Sequence, residues 1–168
     1  MKQRIVLGCA LVAAIMLAPR AYAADSIRYI VPGKPPVTLD AAALAKLPHA
    51  SAHVGAHGDT PSTWDGIALI DLLREQGAPV DKALRGAALA KFVRVTASDG
   101  YQVIFTLGEL DADLGAEKVL LVNRRDGHPL DSMDGPFRII VPVDVRPARW
   151  IHNVTTIELV DGSSRPSM

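Results

Sequence analysis

Three histidines set four residues apart, His49, His53 and His57, are the densest ligand chemistry in this sequence. That spacing puts the rings on one face of a helix, and also on one face of a strand, because the intervals are even. Neutral imidazoles gathered on one side would suit Zn²⁺, Cu²⁺ or Ni²⁺. Pro48, Gly55 and Gly58 favour an extended segment. On a strand His49 and His57 would stand about 26 Å apart, so a shared metal needs a bend or ligands from neighbouring elements. The other constellations are thinner. Asp111 and Asp113 are paired carboxylates in a predicted loop, where a solvated turn is expected. Ser98, Asp99 and the histidines do not amount to a hydrolase, since no Gly-x-Ser-x-Gly elbow is present. There is also no Gly-rich phosphate loop and no His-Glu-x-x-His.

The elements that must position these residues begin after an N-terminal segment of another kind. Lys2 and Arg4 precede an apolar run from Ile5 to Ala18, and Ala21-Tyr22-Ala23 is a small-x-small cleavage site. This pattern is a Sec-type secretory signal over residues 1–23, cut after Ala23. The apolar run is shorter than the roughly 20 residues of a membrane span, so no span is expected after cleavage. Leu7-Gly8-Cys9 stands too early for a lipidation site. The expected location is therefore the periplasm or the exterior. Cys9 is the only cysteine, so the mature chain has no disulfide, no thiol nucleophile and no thiolate ligand. The 18 basic residues balance 18 acidic ones. Three of the basic residues lie in the signal, so the mature chain has a slight acidic excess and no case for nucleic acid.

What remains has the length of one domain with a real core. Ser26–Val31 alternates as a strand. Asp40 is an N-cap for a short helix over Ala41–Leu47, closed by Pro48. Ile67–Gln76 has apolar residues at helical spacing and ends at Gly77. Phe92–Ala97 and Tyr101–Phe105 flank Ser98-Asp99-Gly100 as a hairpin with Gly100 free to take positive φ. Thr106 and Glu109 form a capping box for a single helical turn. Lys118–Asn123, Phe137–Val143 and Trp150–Val160 are predicted strands. The fold class is therefore α+β: a β-rich mixed single domain over 24–162 with short peripheral helices, and a polar tail at 163–168.

An ordered series of segments then adds a resemblance. Trp64-Asp-Gly-Ile-Ala-Leu-Ile-Asp-Leu-Leu73, Ser98-Asp-Gly-Tyr101, Asp126-Gly-His-Pro-Leu130, Gly135-Pro-Phe-Arg138, Val141-Pro142 and Arg146-Pro-Ala-Arg-Trp150 follow one another. Together they resemble the molybdopterin-binding oxidoreductase domain of the sulfite oxidase superfamily, over residues 36–160. The resemblance implies that fold and a molybdenum–pterin cofactor, with Arg138 as the first candidate cofactor contact and Arg146 and Arg149 as basic anchor residues. Guanidinium forks suit phosphate oxygens in two-point contacts. The family's metal-ligating cysteine would fall near His53–His57, where this sequence has Val54, Gly55 and Ala56. The segment Val143-Asp-Val145 is also shortened. Without the thiolate, the expected function is a non-catalytic module binding a small anionic ligand or a periplasmic partner protein. The alternative is a molybdopterin-dependent oxidoreductase with a non-cysteine metal ligand, drawn from His53 or His57. A histidine-row metal protein is a third reading.

Overall fold

A computed structural model describes residues 26–55 and 59–163. The signal segment, His57 and the tail beyond Ser163 lie outside the described residues. In chain order the strands are β1 (Ser26–Ile30), β2 (Val37–Asp40), β3 (His49–Val54), β4 (Ser62–Ala68), β5 (Lys91–Ala97), β6 (Gln102–Thr106), β7 (Leu120–Arg125), β8 (His128–Pro129), β9 (Arg138–Ile140) and β10 (Val154–Asp161). The helices are α1 (Ala41–Leu44), α2 (Leu69–Glu75) and α3 (Leu107–Leu110), with three short 3₁₀ turns besides. One sheet has the order β2-β1-β10-β5-β6, with β1 and β10 parallel. The other has the order β3-β4-β7-β8, with β9 also paired to β7. The β-rich α+β class expected from the sequence is the one observed. No described helix is long and apolar enough to cross a membrane.

Alternation builds the core. Val93, Val95 and Ala97 of β5 point inward with Val103 and Phe105 of β6, joining Ile157 and Leu159 of β10. These residues belong to one buried apolar cluster to which both sheets contribute. The hairpin forms as predicted, with Gly100 at φ +87°. So does the capping box, in which Thr106 Oγ1 accepts from Glu109 N at 3.1 Å and Glu109 Oε2 accepts from Thr106 N at 3.0 Å.

Several expected elements move. The helix predicted from Ile67 starts only at Leu69, because Gly66, Ile67 and Ala68 pair with Val122, Leu121 and Leu120 of β7. Ladder pairing across two strands outweighs the helical pattern of two residues. The strand expected over Phe137–Val143 keeps only Arg138–Ile140, with Pro142 ending any continuation. The last strand starts at Val154 rather than Trp150. Asp111 is not a solvated turn residue. It is 1% exposed and accepts the backbone N–H groups of Asp81 (2.7 Å) and Asp113 (3.0 Å), which ties two loops together.

The register of the second sheet sorts its side chains into two faces. Trp64 stands opposite Arg125, and Gly66 opposite Val122, which is in turn opposite Arg138. Asp65 stands opposite Arg124, and Ile67 opposite Leu121. Between these pairs the register slips by one, leaving Asn123 as an extra residue in β7. This β-bulge re-aims the side chains around it.

Candidate functional site

Arg138 sits in a small cavity of about 50 Å³ lined by Val54, Gly55, Asp59 and Thr60 on one side and by Trp64, Arg125 and Trp150 on the other. The end of β3, the start of β4, the end of β7 and the start of β9 converge here. Trp64 is the hub. Its indole is buried, donates from Nε1 to the Val54 carbonyl at 3.1 Å, and meets Trp150 edge to face at 6.2 Å and 81°. Trp150 is fixed in turn by donation from Nε1 to the Val141 carbonyl at 2.8 Å. Two guanidinium groups lie against the Trp64 ring, Arg125 at 4.8 Å and Arg138 at 5.2 Å from its centre. Both are within cation–π range.

The two arginines differ in their surroundings. Arg125 is half exposed and donates from Nε to the hydroxyl of buried Ser62 at 3.0 Å. Arg138 is largely buried and pairs through Nη1 with Asp134, yet its buried Nε–H has no acceptor among the described residues. Burial holds the pKa of Arg138 below the usual arginine value, and the nearby Arg125 charge pushes the same way against the opposing pull of Asp134. An unpaired, buried donor beside a second cation is a site that an anion would complete.

The other expected site residues lie elsewhere. Arg149 is held by three carboxylates: Asp144 at 2.9 and 2.5 Å, Glu117 at 2.6 Å and Glu109 at 3.1 Å. It also lies over the Phe105 ring at 5.3 Å. Hydrogen bonds to Asp144 lead in raising its pKa above the ordinary arginine value. With its donors already engaged, Arg149 clamps loops together instead of facing the cavity. Arg146 is exposed and does not line the cavity. His49 and His53 are both exposed on the extended β3, about 13 Å apart by strand rise. His49 Nε2 contacts Asp65 at 3.3 Å and His53 Nδ1 contacts Thr63 Oγ1 at 3.1 Å, so the strand does not bring the two rings to one point. His57 lies outside the described residues. No cluster of three or more potential metal ligands occurs among the described residues.

Trp64 and Arg125 were missed as site residues by sequence reasoning. The signal was present in Arg124-Arg125 at the end of an apolar strand run, because a period of two sends adjacent cations to opposite faces.

The lining lacks what the implied molybdenum–pterin group needs. The region expected to carry the sulfur ligand does reach the cavity, as Val54 and Gly55, but it offers no thiolate. A volume of about 50 Å³ is also far below the several hundred Å³ usual for cofactor pockets. The described residues therefore do not fit a metal-bearing pterin.

Comparison with known proteins bears on the fold. Residues 37–167 match the family described as the oxidoreductase molybdopterin binding domain. Among solved structures, the sulfane dehydrogenase SoxCD from Paracoccus pantotrophus superposes with a TM-score of 0.61 at 14% identity, covering 81% of this chain. This chain spans only 38% of that one. No curated protein matches. With the family match extending over most of its length and the shared β-rich fold, the chain belongs to the oxidoreductase molybdopterin binding domain family.

Proposed function

We propose that this protein is an exported, non-redox ligand-binding module of the sulfite oxidase-type fold, whose Trp64–Arg125–Arg138 pocket takes a small oxyanion or carboxylate. The observation that carries this reading is the pair of guanidinium groups on one indole, with a buried Arg138 Nε–H lacking an acceptor among the described residues. The pocket's lining includes Val54 and Gly55, in the Val54-Gly55-Ala56 stretch where the resemblance would place the family's metal-ligating cysteine. The export part rests on the signal pattern of residues 1–23.

The chemistry asked of these residues is binding and orientation. The anion accepts from Arg138, is drawn in by the half-exposed Arg125, and is kept from bulk water by Trp64 and Trp150. Calorimetric titration of the mature protein with sulfate, phosphate, sulfite and small carboxylates tests the reading. One or more should bind one to one, and Arg138→Ala or Arg125→Ala should weaken that ligand by about ten- to a hundredfold, as for a charged hydrogen bond. Metal and pterin analysis of protein made in a host that synthesises molybdopterin supplies the counter-test. Near-stoichiometric molybdenum with pterin would overturn the non-redox reading in favour of an oxidoreductase with a non-cysteine ligand.

A further inference from the structure

The face of the second sheet opposite the arginine pocket carries a larger groove of about 290 Å³, close to the lower bound for small-molecule sites. The α1 segment forms one wall with Ala41, Leu44 and Leu47, and the floor is Ile67, Leu121 and Phe137. A hollow of about 110 Å³ beside Pro129 and Leu130 continues it, with Ala41, Asn123 and Phe137 shared. The charged and polar side chains of the groove are confined to His49, Asp65, Asn123 and Arg124.

Asp65 and Arg124 are direct cross-strand partners on this face, with backbones about 5 Å apart. Opposite charges so placed ordinarily bond to each other. Here they do not. Asp65 is engaged by His49 Nε2 at 3.3 Å, and Arg124 donates to the Gly127 carbonyl of its own turn. No carboxylate lies within ion-pair distance of Arg124 among the described residues. The bulge brings Asn123 and Arg124, consecutive residues, into the same groove. A carboxylate, a carboxamide and a guanidinium thus stand side by side over an apolar floor, with the two charges unspent on each other.

We infer that this groove binds a small zwitterion with an apolar side chain, an α-amino acid of leucine to phenylalanine size. Its carboxylate pairs with Arg124, its ammonium with Asp65, and the Asn123 carboxamide bridges them. The side chain lies over Ile67, Leu121 and Phe137. Neither an anion alone nor a cation alone satisfies both rim charges, and an uncharged apolar molecule leaves both solvated but unused. The site shares no lining residue with the arginine pocket, so it stands or falls independently of the function proposed above.

Calorimetry of the mature protein with the standard amino acids, their N-acetyl derivatives and their carboxamides decides the matter. The expected result is one-to-one binding of a free apolar amino acid, weakened at least tenfold by blocking either its amine or its carboxylate. Asp65→Asn, at a partly exposed position, and Arg124→Gln, at an exposed one, should each weaken the free amino acid at least tenfold. They should lose discrimination against the N-acetyl derivative and the carboxamide respectively. Blocked and free forms binding equally, or no binding by any standard amino acid to a protein with a normal melting transition, would overturn the inference.

Discussion

Arg138 and Tyr29 are the two residues with a buried polar atom lacking a partner among the described residues, and they carry opposite meanings. The unpaired atom of Arg138 lies on a cation beside a cavity, with a second cation against the same indole. Cation–π contact with Trp64 offers each guanidinium about 1 kcal/mol, which offsets only part of the cost of leaving a charged donor unbonded. The anion proposed for this pocket would remove the remainder. Tyr29 sits at 2% exposure within the apolar core, lines neither the arginine pocket nor the groove, and burial pushes its phenol up to about 12. Its hydroxyl is a desolvated group with no partner among the described residues, a net cost to folding. Tyr29→Phe is expected to stabilise the protein by about 1 kcal/mol in urea unfolding. A loss of similar size would mean that the hydroxyl has a partner after all. At this scale the resemblance singled out Arg138 through its Gly-Pro-Phe-Arg context, and the structure places it in the cavity. The sequence did not expose Trp64 or Arg125 as site residues, because their roles depend on the register of β4 against β7.

At the scale of elements, Gly66 is the position on which the site's geometry turns. A Cβ there would sit against the Leu121 carbonyl oxygen and 2.6 Å from Val122 Cα, both backbone atoms of the neighbouring strand. The close approach of β4 to β7 therefore requires glycine. It also adjoins the slip in register that leaves Asn123 unpaired and brings it to the same groove as Arg124. Gly66→Ala should cost about 3 kcal/mol, as overpacking against rigid backbone does, read as a lower urea midpoint at unchanged m-value. A midpoint within experimental error of the wild type would show that β4 can shift without strain. Strands β1, β5 and β6 of the first sheet were legible from alternation, and the hairpin and capping box from their local chemistry, whereas β10 starts four residues later than its apolar run suggested. The helix at Ile67 was misread because its first residues are also good strand residues, and the choice was made by pairing with β7, which no local window contains.

For the whole molecule, the most general consequence of its electrostatics is acid sensitivity. Arg149 binds three carboxylates, Glu109 of α3 and Glu117 and Asp144 from two loops. Elsewhere, Asp81, Asp126 and Asp161 are held below the usual carboxylate pKa. The leading causes are the Arg74 hydrogen bond, the Thr63 backbone N–H and the Lys91 ammonium respectively. A carboxyl whose folded pKa is depressed binds its proton more readily in the unfolded chain, where aspartate titrates near 3.9. Its contribution is therefore complete above that value, and is lost as pH falls through it toward the lower folded value. These three groups are exposed, so each contribution is modest and weakened by salt. The urea midpoint should accordingly stay nearly constant from pH 7 to about 5 and fall below about 4. The fall should be shallower in Asp161→Asn and in high salt. A decline already under way between pH 7 and 5 would instead assign the sensitivity to histidines, and a midpoint still constant at about pH 3 would mean that these carboxylates contribute nothing to the folded state.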